Sequence, residues 1–239
     1  MPRPSARRDP GVESAAIAWV ERSTGCRVAG GELLEEALTH RSLGSRNYER
    51  LEFLGDAVLS FVVAEMLYRE FDGAAEGDLS RYRAALVSGE TLGVIALEAG
   101  LGEHLRLGEG ELKSGGFRRA SILADALEAV IGAIYLELGL SAARSAIERL
   151  LGSRLADLPA ASELKDPKTR LQERLQARGM DLPRYEVTEV SGDPHDQRFT
   201  VRCEVESLGL LADATGTSRR RAEQEAATSL LELMDGKRE

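Results

Sequence analysis

The chain has 239 residues, 43% hydrophobic and 30% charged, an ordinary globular composition with room for one large domain or two small ones. No apolar stretch approaches the roughly 18 residues of a membrane span, and no apolar segment follows the charged N-terminus. We therefore expect neither a membrane anchor nor a secretory signal. The two cysteines, Cys26 and Cys203, exclude a disulfide framework and favour a reduced, cytoplasmic setting.

The charge balance limits how the protein can bind a polyanion. The formal net charge is −9, from 31 Lys and Arg against 40 Asp and Glu. Residues 1–165 and residues 166–239 are both acidic. A nucleic acid would therefore have to meet local basic patches, because there is no general positive field. A strongly acidic chain also suits a site that collects metal cations.

The hydrophobic pattern changes once along the chain and predicts two domains. Residues 13–155 show apolar positions three and four apart, punctuated by glycines, and no convincing strand. Residues 156–165 contain prolines and small residues and predict a linker. Residues 166–235 predict an α-β-β-β-α order, with elements near 169–178, 185–190, 198–205, 208–214 and 218–234. The predicted fold is multidomain: an all-helical domain followed by an α+β domain.

Carboxylates interrupt two predicted helices that are otherwise apolar. Glu49, Glu52 and Asp56 fall within about a 60° arc of the first helix. The opposite face, which we expect to be buried, carries Leu51, Leu54, Val58 and Phe61. Asp125 and Glu128 are the only charges of the second helix and share one face. Lone carboxylates on buried helices are costly unless they are paired, protonated or bound to a metal. These five acids predict a shared site for a hard cation such as Mg²⁺, since no His or Cys cluster favours zinc.

The same spacing also fits a purely structural role for these acids. They would then pair with Arg46, Arg50 or Arg81, or cap neighbouring helices. Glu76, in a predicted turn, is one more acid that could join a metal site. Spacing alone leaves the metal site and the ion pairs as open alternatives.

Four segments of the helical region resemble the ribonuclease III family. The long signature is Asn47 to Leu59, NYERLEFLGDAVL, and the others are EGDLS at 76–80, GELKSGGFRR at 110–119 and SILADALEA at 121–129. The tail resembles a double-stranded RNA-binding domain, through DPKTRLQE at 166–173 and SRRRAEQ at 218–224. The resemblance covers roughly residues 13–235. Its layout is that of the bacterial enzymes: a ribonuclease III catalytic domain (13–155), a linker (156–165) and a double-stranded RNA-binding domain (166–235).

The resemblance implies an activity and a set of site residues. The expected enzyme is a homodimeric endoribonuclease that cuts RNA duplexes with Mg²⁺, or with Mn²⁺ as a substitute, leaving 5′-phosphates and short 3′ overhangs. Its expected cellular work is the processing of ribosomal RNA precursors and of some messenger and transfer RNA precursors. Carried over by motif, the metal ligands are Glu52, Asp125 and Glu128; the catalytic residues are Asp56 and Glu128; and two further acids, near RNA or metal-bound water, are Glu49 and Glu76.

The RNA-binding domain is expected to grip a duplex at three places. Shape recognition of RNA uses 2′-OH groups and phosphates across the minor groove. The first helix would present Thr169, Gln172, Glu173 and Gln176 to one minor groove, and His195 would reach the next. Phosphates would be held by Arg219, Arg220 and Arg221, near the positive end of their helix. The alternatives are a solvated helix face and a solvated charge run.

The sequence leaves two places open for the side chain of Phe53. Phe53 either packs in the core or crosses the dimer interface, and the resemblance favours the interface.

One rival function is a regulator that binds duplex RNA without cutting it, which the complete set of six acids disfavours. A carboxylate-rich metal protein without RNA is disfavoured by the tail.

Overall fold

The computed structural model describes residues 10–193 and 195–236, and the chain divides into two compact units between Ala161 and Ser162. Each unit has its own core. The division lies inside the predicted linker, while the predicted domain limits themselves stay a prediction. None of the described helices is long and apolar enough to cross a membrane.

The described part of the first unit is built from helices. They are α1 (Pro10–Thr24), α2 (Glu32–Ala37), α3 (Glu49–Glu70), α4 (Glu76–Leu86), α5 (Gly89–Glu98), α6 (Glu109–Lys113) and α7 (Ala120–Ala156). Gly139 interrupts α7 with φ 81° and ψ 178°, so that α7 consists of two helical segments. Short 3₁₀ turns connect several helices. The prediction of an all-helical domain is confirmed.

Helices α3 and α7 form the centre of this unit. From Ile122 to Ile134 almost every side chain of α7 is buried, and the residues are mainly Ala, Leu and Ile, which either favour the helix or pack well inside it. The half-buried exceptions in this stretch are Asp125 and Glu128. The apolar segment of α7 is therefore surrounded by other helices, apart from the face that carries its two acids.

Two glycines let α3 and α7 cross with their backbones almost in contact. A Cβ atom at Gly55 would lie 1.8 Å from the carbonyl oxygen of Glu128. A Cβ atom at Gly132 would lie 2.4 Å from the carbonyl oxygen of Leu51. Both distances are far below van der Waals contact, so only glycine fits at either position. The crossing therefore holds the residues next to Gly55 on α3 close to Asp125 and Glu128 on α7.

The outer side of α3 is more open than its sequence predicts. Leu51 and Val58 are buried, but Leu54 is half-buried and Phe61, which we expected on the buried face, is exposed. Because α3 packs on α7 along the line of Leu51, Gly55 and Val58, side chains about a third of a turn away point outward. Phe53 is 80% exposed, which excludes it from the core of this chain.

The second unit packs two helices on one face of a sheet. Its elements are α8 (Pro167–Gln176), β1 (Arg184–Ser191), β2 (Arg198–Val205), β3 (Leu210–Gly216) and α9 (Arg219–Gly236). The sheet is antiparallel in the order β1-β2-β3, with Cys203 opposite both Tyr185 and Ala212. Burial alternates along β2, as expected for a sheet with one solvated face. The predicted α-β-β-β-α order is confirmed.

Polar caps fix where the two helices of the second unit begin. Asp166 precedes α8, and its carboxylate accepts a hydrogen bond from the backbone N–H of Lys168 at 2.9 Å. Pro167 occupies the first turn, where a missing N–H costs nothing. Ser218 precedes α9 and accepts from the N–H of Arg221 at 3.2 Å. These caps bring the N-terminal turns of α8 and α9 to defined positions.

The crossing of α3 and α7 predicts a large difference between two glycine substitutions. Gly55→Ala should lower the free energy of unfolding by about 2 kcal/mol, because its methyl group collides with the backbone of α7. Gly152→Ala, in an exposed part of α7 with nothing near its Cβ position, should be neutral or stabilising by up to about 1 kcal/mol. Urea unfolding of both variants measures this. Equal effects would contradict the close approach.

Candidate active site

Three carboxylates meet where α3 crosses α7. Glu52 lies one turn into α3, and Asp125 and Glu128 lie in the first turns of α7. Each offers an oxygen atom, and these three oxygens lie within 4.8 Å of one another. All three side chains are half-buried. The structure thus brings together the three residues predicted to be metal ligands, while their role as ligands stays a prediction.

The three carboxylates repel one another in a partly dehydrated setting. Burial, followed by the charges of Asp56, Glu52 and Asp125, raises the pKa of Glu128 to about 8. Burial and neighbouring acids also raise the pKa of Glu52, and burial raises that of Asp125. Such a set is unfavourable without a compensating positive charge. A hard divalent cation with oxygen ligands would supply this charge, so the residues fit an Mg²⁺ site.

Asp56 and Glu49 flank the three-carboxylate group at opposite ends. Asp56 is exposed, accepts a hydrogen bond from Ser60 Oγ at 3.4 Å and contributes to the raised pKa of Glu128. Glu49 is exposed, and its Oε1 lies 3.7 Å from Arg41 Nη1. Both carboxylates therefore border the site on α3 without belonging to the group of three.

Two of the three arginines proposed as alternative partners bind other acids. Arg46 donates to Glu32 and Glu36, and Arg81 pairs with Asp78. For these two arginines the ion-pair alternative is wrong. Arg41 does act on the site, because its charge favours ionisation of both Glu52 and Asp125, and His40 also favours ionisation of Asp125.

Glu76 begins α4, whereas the sequence predicted a turn at this position. Its carboxylate is exposed and accepts a hydrogen bond from Ser80 Oγ at 2.8 Å, one turn along the same helix. Glu76 is not part of the three-carboxylate group. Its role near RNA or metal-bound water stays a prediction.

Sequence reasoning missed Tyr48, which lies directly before α3. Tyr48 is only 2% exposed, and a hydrogen bond with Asp125 opposes the rise in the pKa of that carboxyl group. The ring of His40 meets it edge-on at 5.6 Å, and Nδ1 of His40 lies 2.8 Å from Ser42 Oγ. No spacing in the sequence links Tyr48 to Asp125, because the two residues lie on different elements that meet only in the fold.

The predicted RNA-binding face of α8 is open. Leu171 and Leu175 point into the core of the second unit. The opposite face carries four exposed side chains, at the predicted positions Thr169, Gln172, Glu173 and Gln176. Glu173 also binds Lys165 Nζ at 2.7 Å and 3.0 Å. These side chains form a polar surface, and their contact with RNA stays a prediction.

The other predicted RNA contacts are also exposed. His195 lies on the surface between β1 and β2, and the preceding residue, Pro194, lies outside the described residues. Arg219, Arg220 and Arg221 form the first turn of α9. They are not equivalent, because Arg219 Nε binds Glu223 at 2.9 Å, while Arg220 lies 3.8 Å from Asp166.

Comparison with known families defines the class of protein. Residues 31–155 match the family described as Ribonuclease-III-like, and residues 167–234 match the Double-stranded RNA binding motif. The two matches fall on the helical unit with the carboxylate group and on the α-β-β-β-α unit. Together they define a nuclease domain followed by a domain that binds RNA duplexes.

Similarity to individual proteins extends over nearly the whole chain. Ribonuclease 3 of Pseudomonas fluorescens (strain SBW25) is 56% identical over 218 residues, covering 91% of this chain and 95% of that protein. Ribonuclease 3 of Pseudomonas aeruginosa (strain LESB58) shows the same identity and coverage. A crystal structure of the nuclease domain of ribonuclease III from Campylobacter jejuni is 44% identical, with a TM-score of 0.56, and covers 60% of this chain and 98% of that one. The chain belongs to the ribonuclease III family and is a double-strand-specific endoribonuclease.

The raised carboxyl pKa values predict that the metal-free chain loses stability as pH rises. Between the ordinary pKa of a glutamate and about 8, the folded chain holds a proton on Glu128 that the unfolded chain has lost. Stability must then fall with rising pH across this window. Urea unfolding with a chelator from pH 5.5 to 8.5 should show the fall, and added Mg²⁺ should remove it.

Glu128→Gln is the matched control for this experiment. The amide cannot ionise, so the pH dependence of the metal-free variant should be clearly flatter than that of the unmodified chain. The same slope in both proteins would mean that Glu128 is not the group whose ionisation is suppressed.

Proposed function

We propose that this chain hydrolyses both strands of an RNA duplex with Mg²⁺, or with Mn²⁺ in its place, and leaves 5′-phosphates with short 3′ overhangs. The observation that carries the proposal is the half-buried group of three carboxylates at the α3–α7 crossing. Glu52, Asp125 and Glu128 would hold the cation. The family is metal-dependent, and the choice of Mg²⁺ follows from an all-oxygen donor set.

The chemistry needs a polarised phosphoryl group, an activated water and a stabilised leaving 3′ oxygen. When bound, the cation supplies Lewis-acid polarisation and lowers the pKa of water. Asp56, an exposed carboxylate beside Glu128, would orient the attacking water and accept its proton. Glu128 contributes both as a ligand and through its position next to Asp56. Glu49 and Glu76 would orient RNA or water at the edge of the site.

This assignment also accounts for an acidic chain that acts on a polyanion. The carboxylates alone would repel a phosphodiester, so their charge must be neutralised before the duplex reaches the site. Arg41 offsets part of this repulsion, through its contact with Glu49 and its charge near Glu52 and Asp125, but the pKa values of Glu52 and Asp125 stay raised. The acidic composition is thus compatible with RNA cleavage once the cation is in place.

The second unit is proposed to bind the duplex by its shape. The exposed face of α8, with Thr169, Gln172, Glu173 and Gln176, would meet 2′-OH groups in one minor groove, and His195 would reach the next. The first turn of α9, with Arg219, Arg220 and Arg221, would contact phosphates across the intervening major groove. The solvated-face alternative predicts no change in affinity when these residues are replaced.

The proposed cellular role is the maturation of ribosomal RNA precursors and the cutting of some messenger and transfer RNA precursors in the cytoplasm. Support comes from the near full-length similarity to bacterial Ribonuclease 3 proteins. The rival role, a regulator that binds duplexes without cutting them, leaves the three-carboxylate group without a purpose.

The chain is further proposed to act as a homodimer. One solved nuclease domain, from Campylobacter jejuni, is described as flexible in a region involved in dimer formation; it is 46% identical, has a TM-score of 0.55, and covers 57% of this chain and 96% of that one. In this chain the outer side of α3 exposes Phe53, Phe61 and Tyr68. A contiguous exposed apolar stripe of this kind is typical of a protein–protein contact.

Removing one carboxylate should separate cleavage from binding. Glu128→Ala should abolish Mg²⁺-dependent cutting of a labelled RNA duplex, because a ligand is lost, and should leave duplex affinity within about twofold, because the second unit is untouched. Gel assays of cleavage and binding on the same duplex measure both, with single-stranded RNA and DNA duplex as substrate controls. Normal cleavage by the variant would remove the proposed site.

The dimer proposal predicts a change of oligomeric state. Phe53→Asp should weaken self-association at least about tenfold, since it places a charge in an apolar contact. Leu182→Asp, which changes an equally apolar exposed residue of the second unit, should leave self-association unchanged. Sedimentation velocity over a concentration series distinguishes the two. Unchanged association of the Phe53 variant would exclude Phe53 from the interface.

A further inference from the structure

An acidic side chain lies buried directly beneath the arginines of α9. Glu223 is one turn after Arg219 on the same helix and is only 8% exposed. A buried carboxylate is costly unless it is paired. A negative charge at this place would also oppose the binding of a polyanion, so its presence calls for a physical explanation.

Glu223 binds two cations that come from two different helices. Its Oε2 lies 2.5 Å from Lys168 Nζ at the start of α8, and its Oε1 lies 2.9 Å from Arg219 Nε on α9. Although burial alone would raise the pKa of Glu223, the hydrogen bonds from Lys168 and Arg219 hold it below its ordinary value. The carboxylate is therefore ionised at neutral pH and holds both partners.

Lys168 is held on two sides. Its ammonium group lies over the ring of Tyr185, 4.6 Å from the centroid, in addition to its contact with Glu223. Its backbone N–H is fixed by Asp166, which also accepts from Gln224 Nε2 of α9 at 2.7 Å. These contacts tie the first turn of α8 to the first turn of α9, and they leave Glu223 little freedom to move.

Arg219 differs from Lys168 because its contact leaves most of its donors available. The hydrogen bond to Glu223 uses Nε–H alone, and 65% of the side chain is exposed. A guanidinium group has five N–H donors in a rigid plane, so the four on the two Nη nitrogens can still bind a ligand. When Nε is fixed, the plane and direction of the Nη pair are fixed as well. Such a pair matches two oxygens of one phosphate.

We propose that Glu223 is a positioning residue for duplex binding, which holds Arg219 with its two Nη groups directed at an RNA phosphate. The inference rests on the proposed function, because it requires Arg219 to meet the duplex. Arg220, at 3.8 Å from Asp166, has a looser partner and keeps more rotamers. Arg219 is thus the preorganised member of the triplet, because its side chain loses conformational entropy on folding and has less to lose when RNA binds.

The direction in which Glu223→Ala changes duplex affinity distinguishes a positioning role from an effect of charge alone. Glu223→Ala and Glu225→Ala each remove one negative charge from α9, and Glu225 is exposed. If only charge mattered, both variants would bind the RNA duplex at least as tightly as the unmodified chain does. If Glu223 positions Arg219, Glu223→Ala should weaken binding about threefold to tenfold, the worth of one hydrogen-bonded contact. The salt slope, which is the slope of log affinity against log salt concentration, should become shallower by about one in Glu223→Ala and stay unchanged in Glu225→Ala.

The measurement is fluorescence-detected binding of a labelled RNA duplex to the full chain, without divalent cations to prevent cleavage, at several salt concentrations. Thermal unfolding of each variant checks that the second unit is folded. Equal or tighter binding by Glu223→Ala than by Glu225→Ala, in a folded protein, would overturn the proposal.

A second variant avoids the buried position altogether. Arg219→Lys keeps the charge on an exposed side chain, but a single ammonium group cannot reproduce the division between Nε and the Nη pair. Arg219→Lys should therefore weaken binding about threefold to tenfold while it keeps the salt slope, whereas Arg219→Ala should lower both. Affinity equal to that of the unmodified chain would overturn the positioning role.

Arg219→Ala separates this inference from the proposed function. If it leaves both affinity and salt slope unchanged, Arg219 does not contact a phosphate, and the proposed contact fails together with the inference. If it weakens binding while Glu223→Ala does not, the contact stands and only the positioning role is wrong.

Discussion

At the crossing of α3 and α7 the two backbones nearly touch, because Gly55 and Gly132 carry no side chain. This contact sets the separation between Glu52 on one helix and Asp125 and Glu128 on the other. The acids cannot move apart without opening the core of the first unit, in which the residues around them on α7 are buried. Packing free energy, supplied by the apolar residues, therefore holds together charges that would otherwise separate.

The two units use carboxylates in opposite ways. In the first unit the acids of the site repel one another, and the pKa of Glu128 rises to about 8, an arrangement that favours the cation we propose there. In the second unit Glu223 is satisfied by Lys168 and Arg219, and its pKa falls. The same chemical group thus lies at both proposed sites, the one for a metal and the one for a phosphate. An acidic chain can bind and cut RNA because its charges are arranged locally.

Residue patterns predicted the elements better than the contacts between them. The periods of the apolar residues indicated the helical unit and the α-β-β-β-α unit, and the acids on apolar helices indicated the site. Spacing could not choose between a metal and ion pairs, because it does not show which acids the arginines contact: Arg46 binds Glu36, and Arg81 binds Asp78. Tyr48 and Glu223 were missed for the same reason, since each acts through a residue distant in sequence or buried by another helix. Phe61 was misplaced because an apolar side chain can equally face a core or a partner.

The most direct test is Mn²⁺ binding followed by electron paramagnetic resonance. The unmodified chain and Glu49→Gln should both bind Mn²⁺ at the carboxylate group, since Glu49 lies outside the three carboxylates, one turn earlier on the same helix. Glu52→Gln should weaken this binding at least about tenfold, because a charged ligand is lost. Binding by Glu52→Gln that equals the unmodified chain would contradict a cation site at the α3–α7 crossing.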